Sequence, residues 1–360
     1  MYFQTILRTH PVFSDGVGFL YELESCYGEF HAENGMGGSL CRRPKERRSE
    51  MSKRAAWMKM ILFLTAGIGL VAGTNNAFTA EAAASTETLR IIVFGAHPDD
   101  CELKAGGVAA KWADLGHKVK FVSVTNGDIG HYEMAGGPLA QRRTKEVEKA
   151  AALLGIETVV LDHHDGELLP TLEIRKELIR LVREWNADLV ISPRPNDYHP
   201  DHRYTAILVQ DGAYMVTVPF MCPDTPPLKR NPVYMYMWDH FQKPYPFEAD
   251  VVVAIDDVIE RKLEALSEMP SQFAEWAPWH GHYLEDVPKD PATAKEWIAD
   301  SFRARMKGPA QRYPEEITKW YGAEKAGSVE YAEAFEICEY GRQPDEEELR
   351  KLFPFFPESK

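Results

Sequence analysis

The chain has 360 residues, 44% of them hydrophobic, and a formal net charge of −14, enough apolar material for one large α/β domain with a sizeable core. Beyond residue 80 it holds 32 basic against 48 acidic residues, so the body repels phosphate backbones, and no basic stripe interleaved with aromatics is present. Nucleic acid is not expected as a partner.

Residues 1–50 show no periodic pattern. From Met51 the sequence gives Lys53, Arg54 and Lys59, then an apolar run over 60–72, then small residues and an alanine-rich stretch to Ala84. That is the three-part layout of a secretory signal peptide, with an apolar run too short for a comfortable membrane span. Residues 51–84 are therefore expected to be a signal peptide cleaved between 73 and 84, and residues 1–50 a leader upstream of a true start at Met51. The mature chain would be secreted or periplasmic, without a membrane span. It keeps Cys101, Cys222 and Cys338, an odd number that leaves at least one thiol free and indicates no disulfide framework. Cys101, directly after Asp100, is expected to face helix packing.

In the body, the run Leu89 to Phe94 predicts a buried strand. It delivers Ala96-His97-Pro98-Asp99-Asp100 into a loop ahead of a helix over 103–115. A strand over 118–125, a loop with Gly127, Gly130, Gly136 and Gly137, and a helix from about Gln141 to Leu154 follow. Next come a strand over 158–161, a helix over 172–185, and a strand over 188–192 that delivers His199-Pro200-Asp201-His202. Further strands are expected near 233–238 and 250–254, with a helix after Asp256 as N-cap. This alternation predicts a Rossmann-like α/β fold, a mostly parallel sheet with helices on both faces. Both motifs then fall at the carboxyl edge of the strands, where open α/β sheets bind ligands.

The residue types in those motifs point to a metal. A catalytic zinc takes three ligands from His, Asp, Glu or Cys and leaves one position to water. His97 and Asp100 can supply two ligands and His202 the third. Asp99 and His199 then stand beside the metal with the chemistry of a general base and of a general acid or oxyanion stabiliser. Either motif alone is commonly a solvated turn; the pair, each after a strand, favours the metal.

With these residues the chain resembles the PIG-L/LmbE-like zinc-dependent de-N-acetylases. The likeness runs from the first motif, with Glu102, and the second motif through Asp165-Gly166, Lys262, Ala265 and Ser271-Gln272 to the closing segment Tyr331 to Phe335, about residues 88 to 342. The resemblance implies a domain over 85–342 followed by a C-terminal tail, 343–360. It implies His97, Asp100 and His202 as zinc ligands, with iron an alternative in the cell, and Asp99 as base. His199 would steady the oxyanion or protonate the leaving amine, and Asp201 would hold and tune His199. Arg143 resembles a family arginine that contacts substrate. One position departs from the pattern: some members carry a tyrosine two residues before the first histidine of the second motif, as a contact to the reacting carbonyl. Here that position is Asp197, and Tyr198 is the nearest tyrosine.

Arg143, Asp165, Tyr198 and His131 are the candidate substrate contacts, each with a plainer alternative: a surface helix charge for Arg143, an Asp-Gly turn for Asp165, loop packing for His131. Glu102 is either a neighbour of the metal ligands or an acidic residue drawn to a helix N-terminus. His163 and His164 read as loop residues. The aromatic segment Trp276 to Tyr283 suits either a sugar face or core packing, and the loop around His131 and Tyr132 suits a lid. The reading that follows is a zinc hydrolase removing an N-acetyl group from an amino sugar or glycoconjugate. The alternatives are an amidase on a non-sugar N-acyl or thiol conjugate, and a metal- or carbohydrate-binding module without turnover. A homo-oligomer is left open.

Overall fold

The computed structural model describes residues 87–357. The expected leader and signal peptide lie outside the described residues. The sheet has seven strands: β1 (Arg90–Gly95), β2 (Lys118–Thr125), β3 (Glu157–His163), β4 (Leu189–Ser192), β5 (Val233–Met237), β6 (Val251–Ala254) and β7 (Ala332–Ile337). Their order is β3-β2-β1-β4-β5-β7-β6. The first five pair in parallel, and β7 runs antiparallel to both β5 and β6. The sheet is therefore mostly parallel, as expected, with a mixed edge that the sequence reading did not anticipate.

Alternation along β1 builds the layers. Ile91 and Val93 face one hydrophobic cluster with α1 (Asp100–Asp114), α2 (Gly137–Leu154) and α5 (Ile259–Ser267). Ile92 and Phe94 face the other, with α3 (Leu172–Trp185) and α4 (Pro200–Met215). All four side chains are fully buried, because successive residues of a strand point to opposite faces and helices cover both. Each such burial stabilises the fold by about 1.5–3 kcal/mol. Cys101 lies in the first cluster, its Sγ toward the Val93 carbonyl, as expected, and the three cysteines of the described chain are free.

The chain leaves β1 for β2 and β3 on one side, then returns to place β4 on the other side of β1. In open α/β sheets, the carboxyl ends where the winding reverses are where ligands bind. The first motif follows β1 and the second follows β4, so this topology brings residues a hundred positions apart into one cleft.

Several boundaries differ from the sequence reading. α1 starts at Asp100, with Asp100 and Glu102 in its first turn. α2 starts at Gly137, where Pro138 suits a first turn whose amides are unpaired anyway. The second motif is itself the start of α4, with His199 at the N-cap and Pro200 at the first helical position. Asp256 is not an N-cap: α5 follows Val258, and Asp256 Oδ1 instead accepts the Glu330 amide at 2.8 Å. Residues beyond 342 are not a separate tail. The helix Glu346–Leu352 buries Leu349 and Leu352, Phe353 is fully buried, and the Trp112 indole donates to the Leu352 carbonyl at 2.8 Å. Among the described residues, no helix is long and apolar enough to cross a membrane.

Candidate metal centre

β1 ends at Gly95, where an added Cβ would stand 2.7 Å from that of Asp100; only glycine lets the following turn close this tightly. Asp100 Oδ2 then accepts the amides of Ala96 at 2.8 Å and His97 at 2.9 Å. Its carboxylate is thereby held at the mouth of the turn.

Three donors converge across the two motifs. His97 Nδ1 lies 3.2 Å from His202 Nε2 and 3.6 Å from Asp100 Oδ2, and His202 Nε2 lies 3.4 Å from the same oxygen. Four-coordinate zinc with bonds of about 2.0–2.1 Å requires ligand atoms about 3.3–3.4 Å apart. The expected ligand set therefore fits a tetrahedral ion in both spacing and donor type. Burial would push the Asp100 carboxyl up, but the two histidines outweigh it and hold it well below the usual range. Burial likewise disfavours charge on His97, yet Asp100, Asp165 and Asp201 raise its pKa well above the ordinary value. The carboxylates around His97 thus favour positive charge at this place. Donor atoms of His97, His199 and His202, and of His97, Asp165, His199 and Asp201, also lie within 4.8 Å of one another; in the second group His97 Nε2 faces the two carboxylates.

Each proposed ligand histidine has a carboxylate at its far nitrogen. His97 Nε2 faces Asp165 Oδ1 at 3.0 Å and Asp201 Oδ2 at 3.3 Å, and His202 Nδ1 faces Asp197 Oδ1 at 3.1 Å. Asp201, fully buried, also accepts the amides of Gly166 at 2.6 Å and Leu168 at 3.3 Å. Its side chain is thus hydrogen-bonded to His97 and the Gly166 loop, and it reaches His199 through charge, which favours protonation of that ring. What fixes His199 is backbone: its Nδ1 accepts the Asp201 amide at 3.2 Å. Burial, then the neighbouring His97 and His202, keep His199 below its ordinary pKa.

Asp99 sits at the N-cap position of α1. Burial raises its pKa, against the pull of Arg143, as suits a base that must accept a proton near neutral pH. Arg143 and Asp165 are not open to the cleft. Arg143 is 2% exposed and gives its guanidinium to Asp99 Oδ2 at 3.3 Å and to the Pro98 and Gly127 carbonyls. Asp165 is 5% exposed and spans His97 and Arg143. Both lie against the ligands and base, and the burial of Arg143 rules out the plainer reading of it as a surface helix charge. Glu102 is buried beside them, its carboxyl pushed up to about 8 by burial.

His131 serves the loop. Its Nε2 meets Glu275 at 2.8 Å and its Nδ1 accepts the amides of Glu133 and Met134. Tyr132 stacks between His131 and Trp279, and Trp279 stacks in turn on Trp276. The stack ties the loop after β2 to the π-helix Ser271–Trp276, while Trp279 keeps 44% of its surface exposed. His163, the last residue of β3, and His164, just beyond it, pair with Glu177 and Asp128. Tyr198 is 65% exposed, its ring 5.7 Å from that of His199, and it is the candidate contact left facing the opening.

Sequence reasoning missed Asp128, which accepts the Asp165 amide at 3.1 Å, and Gln272 as a donor to the Gly130 carbonyl at 3.0 Å. It also missed Glu275, which ties down Arg142 and His131. Asp128 is a single loop residue, and Gln272 and Glu275 lie in the π-helix Ser271–Trp276; none of these contacts follows a spacing pattern that the sequence could show.

A family model described as GlcNAc-PI de-N-acetylase matches residues 92–212. Diacetylchitobiose deacetylase of Thermococcus kodakarensis is 32% identical over 211 residues, covering 55% of this chain and 76% of that protein. A probable N-acetyl-alpha-D-glucosaminyl L-malate deacetylase 2 of Bacillus cereus is 27% identical over 222 residues, 58% of this chain and 93% of that one. The solved structure of N,N'-diacetylchitobiose deacetylase from Pyrococcus horikoshii, complexed with an inhibitor, superposes with a TM-score of 0.55 at 27% identity, over 70% of this chain and 84% of that one. A 4-carboxy-2-hydroxymuconate hydratase from Pseudomonas putida reaches 0.56 at 18% identity, over 71% of this chain and 99% of that one, a likeness of fold alone.

Proposed function

The chain belongs to the PIG-L family of de-N-acetylases, and from that premise we propose that it uses zinc to hydrolyse the N-acetyl amide of an amino sugar or glycoconjugate. The observation that carries this is the triangle of His97 Nδ1, Asp100 Oδ2 and His202 Nε2, with edges of 3.2, 3.4 and 3.6 Å. The relatives named for diacetylchitobiose and for an N-acetylglucosaminyl malate support an N-acetylglucosamine unit as the part recognised.

His97, Asp100 and His202 hold the ion, which when bound supplies Lewis-acid polarisation of an amide carbonyl and a lowered pKa for water. Asp99 takes the proton that water gives up as it adds to the carbonyl carbon. His199, at the N-cap of α4 and half-buried, hydrogen-bonds the oxygen on which negative charge develops and helps pass the proton taken up by Asp99 to the departing amine. Arg143 and Asp165 keep base and ligand in place. The products are acetate and a free amino sugar.

The signal-like segment over 51–84 supports a secreted or periplasmic enzyme acting on extracellular or envelope glycans. Mature protein recovered from the native host should then begin between Thr74 and Ser85.

Acetate release from N-acetylated chito-oligosaccharides, measured on chelated protein before and after one equivalent of zinc, tests the activity. Release that depends on zinc is expected. No release from a panel of N-acetylated sugars by the zinc-loaded protein would overturn the reading.

A further inference from the structure

We propose that Asp197 is a positioning residue for the metal centre, holding the His202 ring so that its Nε2 lone pair is the one presented to the ion. This rests on the reading of His202 as a ligand. A neutral imidazole has one N–H donor and one acceptor nitrogen, and an ionised carboxylate can only accept. With Asp197 Oδ1 3.1 Å from His202 Nδ1, the proton belongs on Nδ1 and the lone pair on Nε2. That nitrogen is the one lying 3.2 Å from His97 Nδ1 and 3.4 Å from Asp100 Oδ2.

The same oxygen does a second job. Asp197 Oδ1 also accepts the His199 amide at 2.9 Å, so one atom anchors the ring of His202 and the backbone of His199. The segment that carries it is held in turn: Arg203 Nη1 donates to the carbonyls of Asp197 at 2.7 Å and Tyr198 at 3.0 Å. The Asp197 side chain is 12% exposed, which leaves little water to compete for its oxygens. His97 has the matching arrangement, with Asp165 and Asp201 behind its Nε2. Carboxylates placed so fix the tautomer and raise the basicity of a ligand histidine, and their loss typically costs about 10–100-fold in metal affinity.

The test uses full-length wild type, D197N and D197A. Zinc affinity is measured by competition with a chromophoric chelator, and the tautomer of His202 by long-range proton–nitrogen correlation on the metal-free protein in alkaline buffer. We expect the wild-type ring to carry its proton on Nδ1 and D197A to lose that preference, with zinc bound about 10–100-fold more weakly. D197N, which keeps the shape and an acceptor oxygen without the charge, should fold as wild type and fall between the two. Folded D197N and D197A binding zinc with wild-type affinity would overturn the proposal while leaving the metal reading intact. Should wild type itself bind no zinc, the metal reading fails, and a His202 proton on Nε2 in that protein would overturn the proposal as well.

Discussion

Arg143 Nη2 stands 3.3 Å from Asp99 Oδ2, and both side chains are withdrawn from solvent. The guanidinium is the cation that opposes burial in setting the ionisation of the proposed base. A base is active when deprotonated, so whatever raises its pKa moves the acid limb of the rate profile to higher pH.

Replacing Arg143 with Met removes the largest of the charges that oppose burial and leaves only His97 and His202 against it. The pH profile of kcat/KM should shift its acid limb upward, with turnover at neutral pH reduced by less than the roughly hundred-fold to ten-thousand-fold that loss of the base itself costs. An unmoved acid limb would show that Arg143 has no hold on the base.

Gly127 has φ +69°, and an added Cβ would lie 2.4 Å from Arg143 Nη1. Gly127→Ala therefore combines backbone strain of about 1–3 kcal/mol with displacement of the guanidinium. The variant should melt earlier and share the pH shift of Arg143→Met; stability loss with an unaltered pH profile would uncouple the two residues.

Lys262 and Glu333 form a buried ion pair at 2.6 Å, 1% and 3% exposed at the side chain. Glu333 also accepts the amides of Gly107 and Val108 in α1, and Lys262 donates to the Leu103 carbonyl. Removing one partner leaves an uncompensated charge, so Lys262→Met should cost about 3–5 kcal/mol, and Lys262→Met with Glu333→Gln less. Denaturant midpoints of the two variants measure the difference.

Much of this was legible in the sequence. His97 and Asp100 directly follow β1 and His202 lies in the first turn of α4, the helix after β4, and an apolar run followed by such residues signals both fold and site. Other features depend on partners far along the chain. β7 becomes a strand only by pairing with β5 and β6, and Phe353 becomes core only against Trp112 and Phe335. The hydrogen bond of the Asp201 side chain to His97, instead of to its neighbour His199, depends on which ring the folded cleft turns toward it. α4 was hidden because its first turn is the motif itself, and Pro200 reads as a loop residue until His199 is seen to cap the helix.

The clamp on the loop after β2 should respond to acid. Burial raises the Glu275 carboxyl, but Arg142 and then His131 outweigh it and hold its pKa below the ordinary value. A depressed carboxyl contributes stability that is complete above the unfolded pKa of about 4.3 and is lost as pH falls through the lower folded value. Glu275→Gln should thus weaken the protein at neutral pH and flatten its loss of stability below about pH 4. Parallel acid slopes for wild type and variant would remove Glu275 from the account.

Asp99 and Asp100 are neighbours to which opposite jobs are assigned. Asp100 Oδ2 is one corner of the donor triangle, so Asp100→Ala should lose metal and activity together, and added zinc should restore little. Asp99 lies outside that triangle, beside Arg143, so Asp99→Asn keeps the ligand set but cannot accept a proton from water. Loss of a general base costs about a hundred-fold to ten-thousand-fold in rate; this variant should hold near-normal zinc while its turnover collapses. Metal analysis beside acetate release on both purified variants separates the roles. An Asp99→Asn protein that sheds its zinc, or one that turns over a cleavable substrate at the wild-type rate, would show that the base has been assigned to the wrong carboxylate.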